Sequence, residues 1–177
     1  MRLLIPLVAA ALTLTACNGG DRPDSTQTPV LTVAIQPTSV QVGQKLSFNL
    51  LLAGTTEVWN VALFVEDPEG KVVQLLPNRT ADGSGALVGG TVRTFPGAGA
   101  NFFLLAERPT GIHTVLAYAR HEPLDLSSIS AYADDQAAFA TVNENRQGKG
   151  SLDGSMLAIL RLTNPGVFAL TTFTITP

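Results

Sequence analysis

The chain has 177 residues, so length alone points to one domain, with room for a tail. Apolar residues make up 45% and charged residues 14%, which excludes a disordered, highly charged tail. Fourteen Asp+Glu against 11 Lys+Arg leave a net charge of -3, with none of the basic surplus expected of a nucleic-acid binder. The single Cys excludes an internal disulfide framework and a Cys-based zinc site.

Met1-Arg2 supplies a positive start, and Leu3 to Leu14 is an uncharged apolar run. The run is shorter than the roughly 20 residues that span a bilayer, so it reads as a secretory signal rather than a membrane helix. It ends in Leu14-Thr15-Ala16-Cys17. An aliphatic residue, two small residues and Cys resemble the bacterial lipobox, which implies cleavage before Cys17 and acylation of its thiol. By the same resemblance, Asn18 in place of Asp favours the outer membrane. Without Arg2, ten basic side chains face fourteen acidic ones, a net charge of -4. Such a body does not hold anionic lipid by charge, so acyl chains on Cys17 are expected to anchor it to the membrane.

Asn18 to Pro29 reads NGGDRPDSTQTP, with no apolar side chain apart from its prolines, and is expected to be a flexible tether. The folded domain is then expected over residues 30–177. Val30 to Gln36 alternates, with Leu31, Val33 and Ile35 on one face. Val40-Gln41-Val42 is a short extended piece before a turn at Gly43. Lys45 to Leu52 places Leu46, Phe48, Leu50 and Leu52 inward, and Val58 to Glu66 aligns Trp59, Val61, Leu63 and Val65. Asp67-Pro68-Glu69-Gly70 is a turn whose Pro presets φ and whose Gly takes the left-handed position, so Lys71 to Leu76 folds back as a hairpin.

Asn78 to Gly90 reads as a polar, Gly-rich loop, flexible over Asp82 to Gly90. Thr91–Phe95, Phe102–Ala106 and Ile112–Ala119 read as further strands. Ser and Asp caps within Asp125–Val142 predict one or two short helices there. Asn143–Gly154 reads as a polar loop, Leu157–Leu162 as strand or helix, and Val167–Ile175 as a closing strand. Seven to nine short strands separated by turn signals predict an all-β, antiparallel, Ig-like sandwich with a helical or loop insertion near 125–142.

From Gly43 to Pro123 a family resemblance emerges from marks in order. They are Val42-Gly43-Gln44 ahead of Phe48, Asp67-Pro68-Glu69-Gly70, Leu75-Leu76-Pro77-Asn78, Leu87-Val88-Gly89-Gly90, Phe95-Pro96, Pro109-Thr110-Gly111 and Pro123. This stretch resembles the DUF4384 family. The strand before the hairpin lacks an expected Tyr, and the match weakens after Pro123. The resemblance implies a β-rich module of bacterial envelope and signalling proteins, and brings no catalytic residues.

The chemistry-bearing residues are few. His113 has opposite parity to Ile112, Thr114, Leu116 and Tyr118, which turns it out of the strand; His121 follows eight residues on. Two histidines without further ligands read as surface residues rather than a metal site. Ser84 in Gly83-Ser84-Gly85 lacks the Gly-x-Ser-x-Gly spacing, and Gly83, Gly85 and Gly89 miss the dinucleotide fingerprint. Asp134-Asp135 and Asp153 lack an EF-hand pattern, and the Asp pair reads as a solvated helix end. Trp59, beside Val61 and Leu63, reads as core packing before sugar stacking. No catalytic set, metal site or cofactor is expected. The expected function is a non-enzymatic envelope lipoprotein that binds a protein partner. The alternative is a glycan or small-molecule binder using the Gly-rich loop 82–90 and Asn101-Phe102-Phe103.

Overall fold

A computed structural model describes residues 28–177. The lipid-attachment residue Cys17, the lipobox Leu14, Thr15 and Ala16, and most of the tether therefore lie outside the described residues. The fold is an all-β sandwich. Its first sheet orders β1 (Val30–Gln36), β3 (Lys45–Ala53) and β7 (Arg93–Phe95), with β8 (Leu104–Leu105) on the far end of β3. Its second sheet orders β10 (Ser130–Ala131), β11 (Thr141–Val142), β5 (Val72–Leu76), β4 (Val58–Glu66), β9 (Gly111–Arg120), β12 (Val167–Thr176) and β2 (Ser39–Gln41). A short β6 (Ala86–Val88) pairs the beginning of β4.

All pairings are antiparallel except β2 with β12, where Thr174 lies beside Ser39. Pro37 ends β1, and the chain then joins the second sheet at β2. The alternating strands behave as their pattern dictates. Leu46, Phe48, Leu50 and Leu52 of β3 are buried and meet Val61, Leu63, Val115 and Ala117 from β4 and β9 across the sandwich. The Asp67–Gly70 turn closes the β4–β5 hairpin: Gly70 N–H bonds Asp67 O at 2.9 Å, and the Asp67 carboxylate accepts from Glu69 and Lys71 N–H at 2.8 and 2.9 Å. Gly70 sits at φ +90°, where a Cβ would be strained.

The second sheet is covered on its outer face as well. Ala62, Phe64, Leu116 and Tyr118 point away from the sandwich and are fully buried under a layer formed by residues 124–163. Here the helix prediction needs correction. Residues 125–142 contain only loop and the short strands β10 and β11; the helical turns lie downstream, as a single 3-10 turn Glu144–Arg146 and a wide turn Leu152–Met156 continuing into α1 (Leu157–Thr163). The expected helix starts form closed turns instead. Asp125 Oδ1 accepts from Ser127 N–H (3.0 Å) and Oγ–H (2.6 Å), and Asp134 Oδ1 accepts from Gln136 and Ala137 N–H at 2.8 and 2.9 Å. These side chains satisfy local donors without a following apolar stripe to propagate a helix. Leu152, Met156, Leu157 and Leu160 do present one, at one helical face, and it seats on Phe64, Leu116 and Tyr118.

Polar side chains fasten this layer. Buried Glu66 at the end of β4 accepts from Gly150 N–H at 2.5 Å, Leu152 N–H at 2.9 Å and Ser151 Oγ–H at 3.2 Å. Asn164, with no exposed surface, takes Asp125 N–H at 2.8 Å and gives an N–H to Asp125 O at 2.9 Å. Tyr118 O–H bonds Asn164 O at 2.6 Å. Gln147 lends its amide to both backbone groups of Val72, extending the sheet where the strand pairing stops.

Candidate functional site

At one end of the sandwich the sheets part. Leu46 and Phe48 of β3 and the Phe103–Pro109 segment form one wall; Val65, Val73 and Leu75 of the hairpin form the other. Phe173 and Ile175 of β12 and His113 of β9 form the base, and the cavity between them measures about 540 Å³. The lining is mainly apolar, with Asp67, Lys71, Glu107 and Arg108 also bordering it. Phe103 is 57% exposed and Leu105 42% exposed, so two large apolar side chains stand in solvent beside an apolar cleft. They sit on or next to β8, which has only two residues and pairs only the end of β3. Lys45 lies over the Phe103 ring at 4.2 Å. A cleft of this size and lining has room for an apolar side chain or a small molecule, with charged groups at its border.

His113 is the correction that matters most here. Its parity suggested an outward face, yet it is buried, with its ring stacked on Phe173 at a 5.0 Å centroid separation. Outward and inward exchange meaning because the other face of β9 is itself buried: Leu116 and Tyr118 lie under the 124–163 layer, leaving His113 with Val115 and Ala117 on the inter-sheet side. Nδ1 lies 3.2 Å from Gly111 O. A carbonyl only accepts, so Nδ1 carries the hydrogen and Nε2 is an acceptor in the neutral ring. Burial pushes the imidazole's pKa below its ordinary value, against the opposing pull of the Gly111 bond and the Asp67 charge.

The other candidates scatter. His121 is at the opposite end, edge-on to Trp59 at 6.2 Å and 3.7 Å from the Glu57 carboxylate. Trp59 packs against the inter-sheet core, as its neighbours suggested. Asp82, Ser84 and His113 do not meet as a triad. The Asp82 carboxylate holds Gly97 N–H at 2.6 Å, and Ser84 contributes its carbonyl to Arg93 at 2.5 Å. Arg93 also binds the carbonyls of Asp82 and Ala86, both at 2.7 Å. The Gly-rich loop is thus a fastened segment containing β6, with Leu87 fully buried, rather than the flexible loop its composition suggested. None of residues 82–90 lines the cleft. Phe103 does line it, while Phe102 turns inward between Phe95 and Phe139 at 5.9 and 6.1 Å. Asp134-Asp135 is an exposed turn, not a helix end. Among the described residues no three His, Cys, Asp or Glu side chains converge as a metal site.

Asn78 is buried and organises the turn after the hairpin. Its Nδ2–H bonds Leu75 O at 2.7 Å, and its Oδ1 accepts from Thr80 N–H at 2.8 Å. The cleft's two walls, the Asp67–Gly70 hairpin and the Pro109–Gly111 turn therefore fall within one stretch whose sequence marks are structural. Residues 39–123 match the model of a family described as Domain of unknown function (DUF4384). This segment is similar to the DUF4384 family over those residues. No curated protein and no solved structure matches the chain. The matched segment supplies most of the cleft lining. Strand β1, strand β12 and the 124–163 layer lie outside it, and Phe139, Phe173 and Ile175 reach the cleft from there.

Proposed function

We propose that the protein is a lipid-anchored module of the cell envelope that binds a protein partner, without catalysis, through the cleft between its sheets. The observation that carries this reading is the position of the cleft. Strand β1 begins with Val30 opposite Ala53 and ends with Gln36 opposite Ser47, one residue from Leu46 at the cleft. Seven residues of strand separate the two ends of the sandwich, about 23 Å at the usual rise. The chain arriving from the lipobox therefore joins the sandwich at one end, and the cleft opens at the other. A tether on Cys17 presents the cleft away from the bilayer, towards whatever lies in the envelope. The exposed Phe103 and Leu105 are apolar anchors of the kind that seat a partner, framed by charged groups at the rim.

The test is a photo-reactive amino acid placed at Leu105 in cells, with a second placed at Thr32 on the exposed side of β1 as reference. One dominant envelope adduct from Leu105, weakened by Phe103→Ala, is the expected result. The same adduct pattern from both positions, or none, overturns the reading. The lipid anchor is checked separately: Cys17→Ala should move the protein from the membrane to the soluble fraction.

Ligand binding is the second reading, and the cleft's volume favours it, since about 540 Å³ lies within the range of small-molecule sites. A thermal shift with a glycan or an apolar metabolite, abolished by a cleft substitution such as Val73→Trp, distinguishes it from the protein-partner reading.

A further inference from the structure

The cleft is rich in aromatic rings, and its base presents one open lone pair. Half of the chain's eight phenylalanines line it: Phe48, Phe103, Phe139 and Phe173. Phe48 meets the Phe173 ring edge-on at 6.3 Å, and His113 stacks on that ring at 5.0 Å. His113 is the single lining side chain that is polar and uncharged; burial keeps the imidazole in its neutral form at pH 7. Its Nδ1–H is taken up by Gly111 O at 3.2 Å, so the remaining lone pair is on Nε2. Nε2 makes no hydrogen bond among the described residues. It is not sealed from outside either, since Trp59 Nε1 is the one side-chain nitrogen or oxygen among them that is both buried and unpartnered. His113 borders the cavity, so the opening that reaches Nε2 is the cleft itself.

From this arrangement we infer that the cleft receives a tyrosine side chain of the partner, its ring against the phenylalanines and its O–H donated to His113 Nε2. The inference rests on the cleft being the docking site, and it names the chemistry that the site selects. A wholly apolar side chain covers Nε2 and leaves that acceptor unpaired, which costs free energy. A carboxylate or phosphate brings only lone pairs to a lone pair. An ammonium or guanidinium donates, but carries its charge into an apolar pocket. Serine and threonine hydroxyls donate, yet make no ring contacts and leave most of the 540 Å³ empty. An indole carries its N–H on the side of the ring system, facing the walls rather than the base. A phenol puts the donor at the far end of a flat apolar ring, which packs edge-on or offset against other rings. At the mouth, Lys71, Glu107 and Arg108 form no ion pair among the described residues and are placed to meet the polar backbone on either side of the tyrosine.

The test compares two probes that differ by one hydroxyl. N-acetyl-tyrosinamide and N-acetyl-phenylalaninamide are titrated into the isotope-labelled protein, and NMR follows the imidazole nitrogens and the amides around the cleft. The tyrosine derivative should bind about ten-fold more tightly, as one hydrogen bond to an otherwise unpaired group provides. It should also move the His113 Nε2 resonance to higher field, the sign of an accepted hydrogen bond, and the phenylalanine derivative should not. His113→Phe keeps a stacked ring without the acceptor and should make the two probes equal; the comparison on the unaltered protein does not depend on that variant folding. p-Cresol, a phenol without a peptide backbone, should bind more weakly than the tyrosine derivative. Tighter binding of p-cresol overturns the tyrosine assignment in favour of a free phenolic ligand. Equal affinity for the two amides, or an Nε2 resonance that stays in place, overturns the inference. A Leu105 photo-adduct that persists in that case leaves the cleft as the docking site, so the two readings fail separately.

Discussion

The strands β4 and β9 are buried on both faces, but the two coverings are held in different ways. Against the inner face, strands of the other sheet interdigitate Leu50, Phe48 and Leu52 with Val61, Leu63 and Ala117, and backbone ladders supply the polar bonding. Against the outer face lies a segment with one short helix and two strands of two residues each. It cannot satisfy its backbone by ladders, so side chains do it. Of the buried polar residues, Ser130, Ser151 and Asn164 lie in or at the edge of this outer layer and Glu66 and Gln74 of the sheet bond to it, whereas Asn78 closes the turn after β5 and His113 is on the inner face. An irregular covering demands buried polar fasteners; a regular one does without them.

Removing apolar volume should hurt both faces alike. Phe64→Ala on the outer face should cost about 3–5 kcal/mol, as should Phe48→Ala on the inner face. Denaturant unfolding that gave Phe64→Ala a loss below about 1 kcal/mol would mean the 124–163 layer opens without the sandwich, and the equivalence breaks. Removing a fastener should damage only the outer layer. Glu66→Ala leaves the N–H groups of Gly150 and Leu152 without their acceptor and should cost about 2–3 kcal/mol. Faster amide exchange at residues 148–156, with β3 unchanged, would localise the effect. Asn164→Ala frees both backbone groups of Asp125 and should cost about 2 kcal/mol, with exchange rising near residue 125.

The smallest effect belongs to the inner face and appears only with pH. The pKa of His113 is lower in the folded protein than its ordinary 6.5. Above that value both states are neutral and it contributes nothing. Below it the unfolded chain takes up a proton that the folded one resists, so stability falls as pH drops through 6.5 and levels off below the folded pKa. His113→Phe should flatten that part of a urea-midpoint profile; an unchanged slope would place the titration elsewhere.

Much of the inner architecture was readable from residue order. Period-two alternation in β1 and β3 places Leu31, Ile35 and the β3 leucines correctly, because a sheet with one wet face imposes that pattern. The Asp67–Gly70 hairpin is equally legible, since Pro, Gly and an Asx side chain each satisfy a local need. The outer layer left a fainter trace. Val61-Ala62-Leu63-Phe64 and Val115-Leu116-Ala117-Tyr118 are unbroken apolar runs, which mark strands covered on both faces. Reading one face of them as solvent turned His113 the wrong way. The expected helices near 125–142 failed for a related reason: Asp and Ser suit an Asx turn as well as a cap, and only the apolar stripe at Leu152–Leu160 decides where a helix finds a surface to cover.

The cleft was the least legible feature. Phe103, in the candidate segment Asn101-Phe102-Phe103, was visible, but Lys71, Arg108, Phe139 and Phe173 have no shared spacing and meet only because several strands and loops end together. Residue order by itself determined the lipobox-like start, the β-rich body, the hairpin and the DUF4384 marks, since each rests on chemistry within a few positions. Tertiary structure alone decided which face of β9 is dry and where the sheets part. Those depend on pairings between residues tens of positions apart, and no local preference encodes a partner at that distance.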